Sequence, residues 1–120
     1  MAGTWERQAF DIDINAIRVK VTLTSEDTYS GTLITITEKL KQDCLNTGDL
    51  VWFNMRKGKK GLYSMDELWK DPNDCSITHS SMYVRFLDEN LINITSMEIR
   101  PNTYEDYQIW VRVTDESDKK

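Results

Sequence analysis

Arg56-Lys57-Gly58-Lys59-Lys60-Gly61 is the one basic concentration in a chain whose net charge is −5. Four cations alternating with two glycines could cradle a phosphate, because glycine lets backbone N–H groups approach an anion closely. The order GxxxxGK[ST] of a nucleotide-binding loop is missing, so the run is no nucleoside-triphosphatase signature. The same residues equally suit a solvated hairpin tip whose lysines keep a sheet edge from pairing. Trp52, Tyr63, Trp69 and Tyr83 lie near this run in the sequence, and aromatic rings of that kind stack on nucleobases. In a small β protein they also fill the core. Trp110 stands opposite Ile109 and Val111 in an alternating run, which makes it the candidate for an exposed ring.

Other chemistry is sparsely supported. His79 lies among hydroxyls in Ser76-Ile77-Thr78-His79-Ser80-Ser81, but no G-x-S-x-G elbow accompanies it. No catalytic residue is assigned, and the expectation is a protein that is not an enzyme. Cys44, Cys75 and His79 are the only soft metal ligands, short of the four that a structural zinc site takes in closer pairs. No metal and no cofactor is therefore expected. Two cysteines make no disulfide framework, and in the cytoplasm both would stay reduced.

Charge and composition narrow the partners. A sequence pI near 4.8 argues against a grip on duplex DNA, which needs a basic excess to release counterions. No apolar run has the length of a membrane span. The start, MAGTWERQAF, lacks the basic-then-apolar order of a signal peptide, so the cytoplasm is the expected location.

The elements that must position these residues follow from periodicity. Phe10, Ile12 and Ile14 alternate with polar neighbours and predict a strand, as do Ile17, Val19, Val21 and Leu23. Ser25 to Thr28 is a polar turn, and Tyr29, Gly31 and Leu33 then share a face. Glu38 to Asn46 is open between a short helix and a strand, with Thr47-Gly48 as a helix stop. Leu50 to Phe53 is a strand running into the basic tip. Ser64 followed by Glu67 has the spacing of a capping box and predicts a short helix over residues 65–70, ended by Asp71-Pro72. Residues 73–80 read as loop. Met82, Val84 and Phe86 start a strand, Asp88 to Asn90 turn, and an extended run leads from Leu91 toward Pro101. Tyr107 to Val113 is the last strand, and residues 115–120 form a charged tail after a single domain over residues 1–114. About six or seven short strands at this spacing predict a mainly β fold: a small antiparallel barrel or curled sheet with one or two short helices.

The first hairpin resembles a known family. Sm and LSm proteins carry V-x-V-x-L, then five residues, an aromatic, any residue, Gly, any residue and Leu. Val19, Val21, Leu23, Tyr29, Gly31 and Leu33 stand at that spacing. The family continues with an apolar residue, an Asp and a Met-Asn pair, where this chain has Ile36, Thr37, Leu40 and Lys41. A second family motif, an apolar strand with Arg-Gly and a turn to Val and Ile, resembles Val84, Arg85, Leu91 and Ile94. Phe86 replaces its glycine, and residues 42–81 intervene between the motifs. The resemblance implies an Sm-like or SH3-like barrel that self-associates strand to strand and binds RNA. Of the family's base-holding residues only Arg85 is kept.

Two functions follow as expectations. The first is a self-associating, non-enzymatic module for a nucleotide or short single-stranded RNA. Lys41, Arg56, Lys57, Lys59, Lys60 and Arg85 would supply charge there, with Trp52, Tyr63 or Tyr83 stacking. The second is an acidic protein-interaction or inhibitor module, of a viral, nucleic-acid-mimicking kind. It would engage a basic partner through acidic residues at 11, 13, 26, 27, 88, 89, 105 and 106.

Overall fold

Tyr63, Met65 and Glu67 are buried while Ser64, Asp66 and Leu68 are half-exposed, a period of two that only a strand produces. The segment predicted as a helix is therefore β5 (Tyr63–Lys70). The capping-box spacing at Ser64 and Glu67 is overridden by pairing on both sides. One neighbour is β4 (Leu50–Lys57) and the other is β6 (Ile77–Asp88).

The same alternation repeats around the molecule. In the computed structural model, which describes residues 1–10, 12–97 and 107–113, eight strands close into one antiparallel barrel. The remaining strands are β1 (Gly3–Gln8), β2 (Arg18–Ser25), β3 (Thr28–Thr35), β7 (Leu91–Ser96) and β8 (Tyr107–Val113). Each pairs with the next in sequence, and β8 closes on β1 with Trp5 opposite Arg112 and Arg7 opposite Trp110. A small antiparallel barrel is what the periodicity predicted, with more strands than the six or seven counted there.

The additional strand is β5, while β1 takes the place of a strand that was expected just after it. Phe10 and residues 12–15 form no strand; Phe10 and Ile12 are fully or largely exposed in the β1–β2 loop. The Asn15 side-chain oxygen accepts from the Ala9 N–H and closes that loop. β1 escaped notice because its inward residues are Trp5 and Arg7, only one of them apolar. Residues 73–76 form the turn expected there, but β6 already begins at Ile77. The expected continuation from residue 98 toward 102 and the tail over 115–120 lie outside the described residues.

Glu38 to Gln42 is helical (α1), capped at its start by Thr37, whose hydroxyl accepts from the Leu40 N–H. A single 3₁₀ turn, Lys59–Gly61, makes the β4–β5 tip. Because the barrel is a meander, its connections sort to two ends. The β2–β3, β4–β5 and β6–β7 hairpins share one end; the β1–β2 loop, α1 and the β5–β6 turn share the other.

The hairpin end is filled. Trp5, Met55, Met65, Met82, Val84 and Ile92 are buried there. Phe86 meets Trp5 edge-on at 6.0 Å and Tyr63 at 5.7 Å, and Tyr29 meets Tyr63 at 6.3 Å. Gly31 has a specific job in this packing. A methyl group at Gly31 would lie 2.7 Å from Val19 Cγ1 and 3.0 Å from Trp52 Cε3. The glycine is therefore the hollow into which Trp52 fits, and β3 is irregularly registered with β4 on either side of it. Trp52 and Val19 cover the missing side chain.

Gly31→Ala is expected to lower the unfolding free energy by roughly 1–3 kcal/mol, the usual cost of overpacking a close contact. Urea denaturation followed by tryptophan fluorescence measures it. An unchanged midpoint would show that Trp52 does not depend on the hollow.

Candidate functional site

At the other end the barrel is not filled. Ile17, Val19, Leu33, Leu40, Leu45, Val51 and Leu68 wall a cavity of about 240 Å³, and Trp52, Trp69 and Trp110 add indole surface. Eight-stranded barrels have an interior that either fills with side chains or holds one small ligand. This one fills with side chains at the hairpin end and leaves a cavity beneath α1.

The floor between the two halves is polar and buried. Glu67 on β5 points inward and is 5% exposed; Gln108 on β8 is 1% exposed. Gln108 donates its amide N–H groups to both Glu67 carboxylate oxygens, at 3.0 and 3.3 Å. The Trp52 indole N–H donates to Glu67 Oε2 at 3.0 Å, and the Trp110 indole N–H donates to Gln108 Oε1 at 2.9 Å. A carboxylate only accepts and an indole only donates, so the four groups fit in one arrangement. Only one orientation of the Gln108 amide serves both its neighbours. The Gln108–Glu67 bond joins strands far apart around the barrel, so it braces the interior from wall to wall.

Arg7 brings a cation to the same floor. It is buried, with its guanidinium 5.8 Å from the Trp110 ring centroid, and it lines the cavity. Its place over an indole face is one that a guanidinium favours. Trp110 in turn meets Trp52 edge-on at 4.8 Å. Trp110 is thus 4% exposed, contrary to its sequence-based placement on the outside. Ile109 and Val111, half-buried, take the outer face instead.

The cavity's lid is the β3–β4 connection. α1 is followed by Cys44, whose φ of +71° is left-handed. Leu45 N–H bonds back to Leu40 carbonyl and Cys44 N–H to Lys41 carbonyl, the bonding pattern of a Schellman motif. Leu40 and Leu45 both face the cavity. Cys44 is disulfide-bonded to Cys75 in the β5–β6 turn, with Cα atoms 5.6 Å apart. The expectation of two reduced thiols is therefore corrected. Sequence alone places these residues in separate loops; the meander brings both loops to one end. A cross-link with a sequence separation of 31 stabilises a fold by roughly 3–4 kcal/mol in the chain-entropy account. In the turn itself, Asp74 accepts from the Ser76 backbone N–H, which holds its carboxyl below the usual range.

The residues predicted to form a ligand site are divided. Arg56, Lys57, Lys59 and Lys60 do come together, exposed at the β4–β5 tip on the filled end. Tyr63 beside them is buried, and that burial, with Tyr29 next to it, pushes its phenol up from the ordinary value. It offers no open ring for stacking. Lys41 lies on α1 at the opposite end, 3.7 Å from the Glu38 carboxylate. Arg85 is exposed on the outer face of β6, opposite Asn93. Trp52 and Trp69, expected near the basic tip, line the cavity instead, and Tyr83 is exposed on the outside. His79 packs on the outer face against Phe53, 5.0 Å between ring centroids. Among the described residues no cluster of three or more His, Cys, Asp or Glu side chains could hold a metal.

Arg7, Glu67 and Gln108 were missed by sequence reasoning. Their signal is polarity at an inward position: Glu67 alternates in phase with Tyr63 and Met65, and Gln108 in phase with Trp110. Comparison with protein families, with curated proteins and with solved structures finds no match to this chain.

Glu67→Leu is expected to destabilise the barrel by about 3 kcal/mol, because two buried donors lose their acceptor at ~1–3 kcal/mol each. Glu67→Gln, which keeps an acceptor oxygen, should cost less than half of that in the same denaturation series. Equal costs would show that the carboxylate is not the hub.

Proposed function

We propose that this protein is a non-enzymatic binding module that encloses one compact small molecule in the open half of its barrel. The observation that supports it most is the pairing of an apolar-walled cavity of about 240 Å³ with a buried polar floor at Arg7, Glu67 and Gln108. Binding sites are mostly apolar cavities with a few fixed polar groups that orient the ligand. That volume lies below the range that holds drug-sized molecules. It favours a small aromatic or aliphatic acid over the nucleotide or RNA strand expected from sequence. The apolar body would lie against Val19, Leu33 and the indoles, with the anionic group toward Arg7, whose guanidinium carries several donors.

Rigid preparation of the floor supports a binding role. Glu67 and Gln108 are already held by Trp52 and Trp110, so little ordering remains to oppose association. The cytoplasmic location expected from sequence carried with it the expectation of reduced cysteines. With Cys44 and Cys75 joined, an oxidising compartment is the better reading, since disulfides persist there.

The test is a titration of small aromatic and aliphatic carboxylates, each beside its neutral amide, followed by tryptophan fluorescence and calorimetry. Some carboxylates should bind, and Arg7→Met should weaken them roughly 10- to 100-fold, the worth of a charge-assisted hydrogen bond, while amide binding stays unchanged. Leu33→Trp, which fills the cavity, should abolish both. Binding that survives Leu33→Trp, or no binding by any member, would overturn the proposal.

A further inference from the structure

The cover over the cavity meets β3 through backbone bonds of Gly48 and Asp49 to Leu33, and its helical part is held by side-chain ties and one covalent bond. α1 has five residues, none of them buried, far too few to persist as an isolated helix. Its first end is tied by the Thr37 hydroxyl, which donates to the Asp13 carbonyl at 2.6 Å in the β1–β2 loop. Its other end is tied by the Lys70 ammonium, which donates to the Cys44 carbonyl at 3.1 Å and to Asp49 at 3.4 Å. Leu45 is the buried residue that follows it. The Cys44–Cys75 bond joins this segment to the β5–β6 turn across the cavity end of the barrel.

Both cysteines hold left-handed backbone, at φ of +71° and +60°. Cys44 occupies the position after a helix that glycine normally takes, a conformation that costs a residue with a Cβ about 1–2 kcal/mol. A cysteine there is understandable if the cross-link is what the position is for. Cys75 lies on an exposed turn, where a thiolate can reach it.

We propose that the Cys44–Cys75 disulfide is a redox latch on the cavity, opened by a dithiol reductant and closed by its reoxidation. It rests on the reading of the cavity as a binding site. In the opening step a thiolate of the dithiol attacks the Cys75 sulfur, breaks the Cys44–Cys75 bond and releases Cys44 as thiolate. The second thiol of the reductant then displaces Cys75 from the mixed disulfide. Two electrons pass to the cystine, the two protons end on Cys44 and Cys75, and the reductant leaves as its own disulfide. Closing returns two electrons to an oxidised dithiol of the same class. With the bond broken, the segment over residues 37–49 keeps its side-chain ties, the Gly48 and Asp49 backbone bonds to Leu33 at its far end, and the packing of Leu40 and Leu45. It should therefore open without unfolding the strands, as weakly packed segments do.

Amide hydrogen exchange on the full chain tests this, comparing oxidised protein, protein reduced with dithiothreitol, and a Cys44→Ser/Cys75→Ser double variant. Exchange over residues 37–49 should quicken roughly tenfold or more on reduction, and β6 and β7 should keep their protection. The double variant should match the reduced form and ignore dithiothreitol. Acrylamide should quench the cavity tryptophans more strongly in both open forms. Equal exchange over 37–49 in the oxidised and reduced forms would overturn the latch. Loss of protection throughout the barrel would overturn it too, by making the disulfide a general support. None of these readouts needs a bound ligand, so failure of the carboxylates to bind leaves this test separate.

Discussion

A hydrogen bond between Gln108 and Glu67, running from one wall of the barrel to the other, is the constraint on which the interior depends. Burying a carboxylate is costly unless donors surround it, and three N–H contacts from Trp52 and Gln108 meet it here. These bonds fix the facing indoles, and the indoles in turn set the boundary between a packed half and an open one. A carboxylate at the same place without Gln108 would demand water or collapse. A leucine would let the two halves merge into one ordinary core.

From that boundary the rest of the molecule divides its labour. At the hairpin end large side chains and edge-on rings fill the barrel, and Arg112 lies over Trp5 at 4.4 Å from the ring centroid. At the far end aliphatic side chains and three indoles wall a cavity, and a short cover that one disulfide secures closes over it. Gly31 links the two, because a side chain there would press on Val19 and on the Trp52 ring that reaches Glu67. The glycine that resembles a family motif is thus explained by the close approach of Val19 and Trp52.

Much of the strand pattern was legible because β2, β3, β4, β6 and β8 carry alternating or β-branched apolar residues. Where inward positions are polar, the pattern fails. Glu67 made β5 look like a capped helix, and Arg7 hid β1 altogether. Polarity at those positions is the site itself, so the residues hardest to place from sequence are the ones that form the floor. The exposed Phe10 and Ile12 misled in the opposite sense, by alternating in a loop whose described residues form no strand. The disulfide was illegible for a topological reason: only the meander brings α1 and the β5–β6 turn to one end. The basic tip was read correctly as a hairpin, but it stands at the far end from the cavity.

The central claim is that a buried carboxylate–amide bridge partitions the barrel. Solvent exchange of the indole N–H protons, resolved by heteronuclear NMR, tests it most directly. The account predicts slow exchange at both Trp52 and Trp110, because their donors end on Glu67 and Gln108. It also predicts that Glu67→Leu quickens both, the second through Gln108. Rapid exchange at either indole in the unaltered protein, or a Trp110 signal indifferent to loss of the Glu67 carboxylate, would contradict it.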